Sequence, residues 1–315
     1  MLTPEIFFET SALRPILDDE LLTRSLLKIK DIEYRLIISN ISLWELFSYK
    51  NTEIIKRRIS NLILLWESLG DCKFSIATDY KGCVCKELAK KIEKTPIVSS
   101  TRRRKYKHDL YNLLNSTMMF DKDEIAKFEE DKKEMYETDI LLQREAKNIG
   151  IPEEKKLLEE AKELNLSKEE ILQQKAIERE KILLLHLKKY KSLSPDYYLI
   201  DDVIVNNRVA GLNMPTKKEL LSNLERYKIL RTYLMLCEIR MYGNCLSSTN
   251  GDPMAQLFRV KEGNWRDLRI SCSAAYSKYF VVQDKDCRRI CNTLKERGCI
   301  DFSSISLDEF QRKFL

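Results

Sequence analysis

Short apolar runs alternate with amphipathic helical patterns in the first third of the chain. Each run has the length of a buried strand, and apolar positions at helical spacing separate it from the next run. Strands that alternate with helices are typical of an α/β fold. The predicted strands are 6–8, 36–38 and 73–77, and the predicted helices are 12–29, 54–69, 83–92 and one that begins at Ser42 with Glu45 at capping-box spacing.

The strand and helix pattern returns near the end of the chain. An apolar run at 279–282 predicts a fourth strand, and amphipathic helices flank it. We therefore expect two separated stretches, 1–98 and 246–315, to build one α/β core. The predicted helices of the second stretch are 265–276, 286–298, which ends at Gly298, and 305–315, which Ser306 and Glu309 cap.

Residues 99–245 have a different pattern and are predicted to form a large all-α insertion. Apolar residues recur there at helical spacing among many charges, which favours a coiled-coil hairpin or a small bundle. One interpretation is a solvated structural arm. The others are an arm that dimerises, grips a substrate or docks an inhibitory protein partner. The predicted helices are 121–148, 167–191 and 217–242.

Composition excludes several classes of protein. Hydrophobic residues make up 43% of the 315 residues, which excludes wholesale disorder. Eight glycines and seven prolines are too few for a turn-rich all-β fold. No apolar run approaches the roughly 20 residues that span a bilayer, and no secretion signal is visible. We therefore expect a soluble, cytoplasmic protein with no membrane partner.

The net charge is +6 and is unevenly distributed. Residues 121–191 hold 16 basic and 19 acidic side chains, a net of −3, which leaves 39 basic and 30 acidic side chains, a net of +9, elsewhere. A positive excess favours a polyanionic partner. The densest basic run lies at 102–108. Its cations would contact phosphates, and its tyrosine would stack on an unpaired base. The alternative is a solvated helix face. The predicted nucleic-acid contacts are Arg102, Arg103, Arg104, Lys105, Tyr106 and Lys107.

Histidine and cysteine offer little for catalysis. His108 and His186 are the only histidines, and the nine cysteines lack the paired spacing of a zinc ribbon. A Ser-His-Asp or Cys-His mechanism is therefore disfavoured. The acidic residues are therefore the candidates for catalysis.

Five acidic residues occupy similar structural positions in the two core stretches. Glu9 follows the first strand, Glu45 lies in the helix after the second, Asp267 begins a helix, and Asp284 and Asp286 follow the fourth strand. Binding sites of open parallel α/β sheets lie outside the carboxyl ends of the strands. We therefore expect the five carboxylates to converge. Each of them alone also fits a helix cap or a turn.

Converging carboxylates repel one another and need a compensating cation. Mg²⁺ and Mn²⁺ prefer oxygen ligands, so either ion is the predicted cofactor. Such an ion activates water and offsets charge on a phosphoryl group, which predicts phosphodiester hydrolysis. The pattern leaves open whether one or two ions bind.

Four stretches resemble the motifs of PIN-domain nucleases. They are 6–13 (IFFETSAL), 39–46 (SNISLWEL), 264–268 (NWRDL) followed by Ala274-Ala275, and 279–286 (YFVVQDKD). The resemblance implies a Rossmann-like α/β/α sandwich with a parallel sheet. It covers roughly 1–98 and 246–315 and does not extend to the all-α insertion that interrupts this core. It also implies Mg²⁺ or Mn²⁺ at the acidic positions and cleavage of RNA.

On that resemblance Glu9, Glu45, Asp267 and Asp284 match metal-coordinating positions, with Asp286 auxiliary. Thr10 or Ser11 would support the first carboxylate. The chain departs from the family pattern in two places. Glu9 stands where the family usually has Asp, and Val282-Gln283 stands where it often has a hydroxyl residue.

These observations predict a metal-dependent nuclease, with an endoribonuclease favoured over a deoxyribonuclease. Water would attack the phosphorus and leave a 5′-phosphate. A toxin or a phage-defence effector is the predicted setting, because such an activity needs restraint and the arm offers a surface for it. The alternative is an inactive PIN-like scaffold that binds RNA or a protein partner through the arm. The sequence leaves the oligomeric state open for both functions, and a homo-oligomer is one alternative.

Overall fold

The chain divides into two compact units in a computed structural model. The first unit comprises Met1–Glu130 and Arg269–Leu315, and the second comprises Asp131–Leu268. The predicted helix 121–148 and most of 167–191 lie outside the described residues. The structure describes residues 3–47, 51–78, 80–89, 92–115, 159–167, 170–171, 215–232, 236, 264–296 and 298–315.

Within the described residues, the first unit contains a five-stranded parallel sheet, which confirms the predicted α/β class. The strand order is β3-β2-β1-β4-β5. Strand β5 was not predicted, because two serines interrupt its apolar pattern. The strands are β1 Glu5–Phe8, β2 Arg35–Ser39, β3 Phe74–Ala77, β4 Tyr279–Val281 and β5 Ser303–Ile305.

Helices connect these strands. The predicted last helix begins two residues late because 303–305 is a strand, but the predicted cap by Ser306 and Glu309 is confirmed. The helices of the first unit are α1 Thr10–Asp18, α2 Glu20–Leu26, α3 Asn40–Phe47, α4 Thr52–Lys73, α5 Tyr80–Ala89, α6 Ser100–Asn115, α9 Lys285–Glu296 and α10 Leu307–Phe314. Helix α7, Lys217–Ser222, lies in the second unit, and the division falls inside α8, Asn264–Ser273.

Two of the predicted helices are interrupted in the structure. The helix predicted at 12–29 is interrupted at Asp19, whose extended backbone ends α1 and whose carboxylate caps α2 through the Leu21 amide at 2.8 Å. The helix predicted at 217–242 stops at Ser222, and a 3₁₀ turn at Leu224–Arg226 separates it from further helical residues at 228–232, although Thr216 caps its start as expected. Capping by the short side chain of Asp19 therefore overrides the apolar periodicity of the first of these helices.

The sheet is buried on both of its faces. Successive side chains of a strand point to opposite faces, and Ile6, Phe7 and Phe8 of β1 are all at most 1% exposed. Ile6 and Phe8 belong to one apolar cluster, in which the Phe8 ring meets Phe310 of α10 edge-on at 5.0 Å. On the other face Phe7 packs against Phe280, with 6.2 Å between the ring centroids. Such double burial is typical of parallel sheets.

The strand order creates a topological switch point between β1 and β4. Strands β2 and β3 extend the sheet on one side of β1, and strands β4 and β5 extend it on the other. All five carboxyl ends in the described sheet lie at one edge because every pair is parallel. In open α/β sheets this edge, at the switch point, is where ligands bind.

The predicted domain boundary after residue 98 differs from the division of the structure. Helix α6 follows that boundary, yet it lies in the first unit. It does so because Tyr106 and Leu110 are buried in the same apolar cluster as the sheet. In the part of the chain that the structure describes, no helix combines the length and apolar character needed to span a bilayer.

Candidate metal site at the carboxyl edge of the sheet

Glu9 lies at the switch point. It follows β1 directly, and its amide donates to the Val281 carbonyl of β4 at 3.0 Å. Its side chain is the N-cap of α1, where Oε2 accepts from the Ser11 amide at 2.7 Å and from the Ser11 hydroxyl. The residue is only 5% exposed. Its carboxylate is therefore held in place by donors from the next turn of the chain.

Glu45 lies on α3, the helix that follows β2. Its carboxylate accepts a hydrogen bond from the Thr10 hydroxyl, which also lies 3.0 Å from the Ser42 hydroxyl. The predicted capping box of Ser42 and Glu45 is wrong, because α3 begins at Asn40. Glu45 is thus turned toward α1, and adjacent residues of α1 hold the two glutamates.

The electrostatics of Glu9 reflect this arrangement. Burial is the main cause that raises the pKa of Glu9 above its ordinary value of 4.5. The hydrogen bonds from Ser11 oppose the increase, because they favour the ionised form. The charge of Glu45 adds to the increase. The two carboxylates therefore accept hydrogen bonds from adjacent residues, Thr10 and Ser11, at one edge of the sheet.

Asp284 is connected to this pair through the backbone beside it. The Ser11 hydroxyl, which donates to Glu9, accepts from the Gln283 amide at 3.0 Å. The Asp284 side chain is exposed, and its Oδ1 accepts from the Cys287 amide at 2.7 Å. This carboxylate thus caps the start of α9, which is the alternative role that the sequence allowed.

Two of the predicted acids stay predictions. Asp267 lies in the first turn of α8, as expected, but it belongs to the second unit. Asp286 lies in the first turn of α9, and its side chain is outside the described residues. The structure thus brings Glu9 and Glu45 together and places Asp284 one residue from their hydrogen-bond network.

The donors at this edge suit a hard cation, although they are few. Among the described residues, no group of three or more His, Cys, Asp or Glu side chains is arranged to hold a metal ion. Glu9 and Glu45 nevertheless provide an all-oxygen donor set, and Mg²⁺ commonly binds one or two carboxylates and keeps several waters. The residues present therefore fit a Mg²⁺ or Mn²⁺ site with few protein ligands.

Asn40 is a polar residue at this edge that the sequence did not single out. It follows β2 directly and is 6% exposed. Its Oδ1 is buried without a hydrogen-bond partner in the described structure. Such an atom is unusual, because buried amide oxygens are normally paired. Its position after a predicted strand, within the stretch 39–46, was its indication in the sequence.

Arg58 of α4 joins the two helices that carry the glutamates. Its guanidinium donates to both Asp18 carboxylate oxygens at 2.7 and 2.8 Å, at the end of α1. It also donates to the Leu46 carbonyl of α3 at 3.0 Å. The residue is 5% exposed. Arg58 lies four positions before the buried Leu62 and therefore on the same face of the helix. A charge on an apolar helix face was the signal in the sequence that could have identified it.

The predicted nucleic-acid contacts on α6 separate into different environments. Tyr106 is 5% exposed and packs in the core, so its predicted stacking on a base is wrong. Arg103 and Lys107 form ion pairs with α4, at 3.1 Å to Asp71 and 3.3 Å to Glu67. The exposed members of the run are Arg102, Arg104 and Lys105.

No protein-family model, curated protein or solved structure matches this chain. The comparisons therefore bear neither on the resemblance to PIN-domain nucleases nor on the activity.

Proposed function

We propose that this protein is a Mg²⁺- or Mn²⁺-dependent nuclease with a PIN-like core, and that RNA is its substrate. The observation that supports the proposal is the pairing of Glu9 with Glu45 at the switch point of a parallel sheet. Two neighbouring carboxylates, one of them buried, are an unfavourable arrangement that a divalent cation would stabilise. The activity would be endonucleolytic, with products that carry a 5′-phosphate.

Glu9 and Glu45 would hold the ion, and Asp284 and Asp267 are the further ligands expected from the sequence. When bound, the ion would supply water activation at neutral pH and charge compensation for the phosphoryl group. Thr10 and Ser11 fix the two carboxylates, since each donates its hydroxyl to one of them. Ser11 also favours the ionised form of Glu9, which is the form that a cation needs.

A cleavage assay tests this proposal. Labelled RNA and DNA of the same sequence are incubated with Mn²⁺ and either wild type or Glu45→Gln, with and without a chelator. We expect cleavage of RNA that the substitution and the chelator each abolish. Glu20→Gln is the matched control, because Glu20 is exposed and pairs only with Arg24 on α2 in the described structure. Asp267→Asn tests the ligand inferred from sequence alone.

A non-catalytic scaffold is the second candidate. It is favoured by the capping role of Asp284 and by the lack of a three-residue metal cluster in the described part of the chain. On this account the protein binds RNA or a protein partner through its helical arm. Absence of cleavage with either metal, together with retained RNA binding, would support the scaffold and contradict the nuclease. A toxin or phage-defence setting belongs to the nuclease proposal only.

A further inference from the structure

Helix α6 presents two kinds of basic residue. On the side that faces α4, Arg103 and Lys107 pair with Asp71 and Glu67. Hydrogen bonds from Tyr111 and Lys107 lower the pKa of Glu67, so this partner stays ionised near neutral pH. These cations are therefore matched by acids of the protein itself.

Arg102 is held differently. Its Nε donates to the Tyr106 hydroxyl at 2.9 Å, and its Cζ lies 5.5 Å from the centroid of that ring. Because the Tyr106 ring is buried, it provides a rigid support for an exposed guanidinium. Within the described residues, the two terminal nitrogens of Arg102 have no hydrogen-bond partner.

This geometry lowers the entropic cost of anion binding by a surface arginine. A mobile arginine loses side-chain entropy when it binds an anion, and this loss reduces affinity. A single contact to Tyr106 already fixes the Arg102 side chain through Nε. The free edge of a guanidinium matches two oxygens of a phosphate in a bidentate pair. Exposed Arg104 and Lys105 add positive charge beside it.

We infer that Arg102, supported by Tyr106, is a preorganised contact for the phosphate backbone of a polynucleotide. The choice of a polynucleotide rests on the proposed nuclease function, whereas the selection of Arg102 rests on its geometry alone. A backbone contact carries no sequence or sugar information. RNA and DNA of the same sequence should therefore depend on Arg102 equally.

Fluorescence anisotropy in EDTA tests this inference without cleavage. The probes are labelled RNA and DNA strands of about 20 nucleotides. Arg102→Gln should raise the Kd for both strands about tenfold, because it removes a charge-assisted bidentate contact. Tyr106→Phe keeps the charge and removes the support, and should raise the Kd about threefold. Arg103→Gln, the matched control, should leave the Kd within about twofold, because Arg103 already pairs with Asp71.

Salt dependence provides the second measurement. Arg102→Gln should reduce the slope of log K against log salt by about 0.7 for a single strand, as expected for one lost phosphate contact. Arg103→Gln should leave the slope unchanged. Thermal unfolding of each variant shows whether the fold is retained, and Tyr106→Phe is a second variant should another one fail to fold.

Several results would overturn the inference. These are wild-type affinity in Arg102→Gln, an equal loss in Arg103→Gln, or no binding of either strand by the wild type. Binding of polyglutamate in place of polynucleotides would assign the surface to an acidic protein instead. None of these measurements requires the metal site. A protein that binds through Arg102 but never cleaves would contradict the nuclease proposal and support this one.

Discussion

Strand β1 has a buried glutamate at each end, and the two have opposite surroundings. At the amino edge Glu5 is 3% exposed, and its carboxylate accepts from the Thr95 amide at 3.0 Å. Arg35 of β2 lies beside it, with 3.8 Å between Nη1 and Oε1. Burial raises the pKa of Glu5, and Thr95 and Arg35 oppose this increase. The protein thus supplies the countercharge at this edge.

At the carboxyl edge Glu9 is equally buried but has a second glutamate as its charged neighbour. Burial raises its pKa, Ser11 opposes the increase, and Glu45 adds to it. The two glutamates that flank the apolar residues of β1 therefore differ in the charge of their neighbour. Glu5 belongs to an ion pair with Arg35, whereas Glu9 and Glu45 are the ligands of the proposed metal site.

The largest expected difference between the two edges is catalytic. Glu9→Gln should reduce the rate of RNA cleavage on the order of a thousandfold, because it removes a proposed ligand of the ion that would offset phosphoryl charge. Glu5→Gln should leave the rate within about threefold of wild type, since Glu5 lies at the opposite edge. Single-turnover cleavage with Mn²⁺ measures both. Equal losses in the two variants would contradict the proposed division of roles.

The next effect concerns stability at the amino edge. Arg35→Met should lower the free energy of unfolding by about 3 kcal/mol, because it leaves Glu5 buried without its countercharge. The double variant Glu5→Gln/Arg35→Met should recover part of this loss. Urea denaturation at neutral pH measures the two values. An unchanged stability in Arg35→Met would show that Glu5 does not need the ion pair.

The smallest expected effect is a pH dependence. A raised pKa in the folded state means that the stability associated with Glu9 is present below its ordinary value of 4.5 and is lost as pH rises through the folded pKa. Glu9→Gln avoids this loss, so without metal it should be more stable than wild type at about pH 7 and should gain nothing below the ordinary pKa of 4.5. Mn²⁺ should abolish the difference in stability between wild type and Glu9→Gln. It should leave the difference in stability between wild type and Glu5→Gln unchanged. Urea denaturation across pH, with and without Mn²⁺, measures it. A constant difference between wild type and variant would contradict the assignment.

Local patterns in the sequence predicted most of this core. Apolar runs located β1 to β4, and Gly298, with a φ of +69°, ends α9 close to the predicted position. The rule that parallel strands share one carboxyl edge predicted that Glu9 and Glu45 would lie at the same edge of the sheet. These features depend on the types and the spacing of residues that are neighbours in the sequence.

Features that depend on tertiary contacts were not predictable. Helix α3 begins at Asn40, so Ser42 and Glu45 do not cap it and instead contact Thr10. The sequence around Ser42 and Glu45 does not predict a contact with Thr10. Likewise, the basic run of α6 gave no indication that Tyr106 is buried. In each case a partner distant in sequence determines the role of the residue.

Crystals grown with Mn²⁺ test most sharply whether Glu9 and Glu45 hold a metal ion, through an anomalous difference map. We expect a peak within about 2.2 Å of carboxylate oxygens from both glutamates. The same peak should be absent in Glu45→Gln. Mn²⁺ peaks elsewhere in the crystal, with none between Glu9 and Glu45, would show that these residues do not form a metal site.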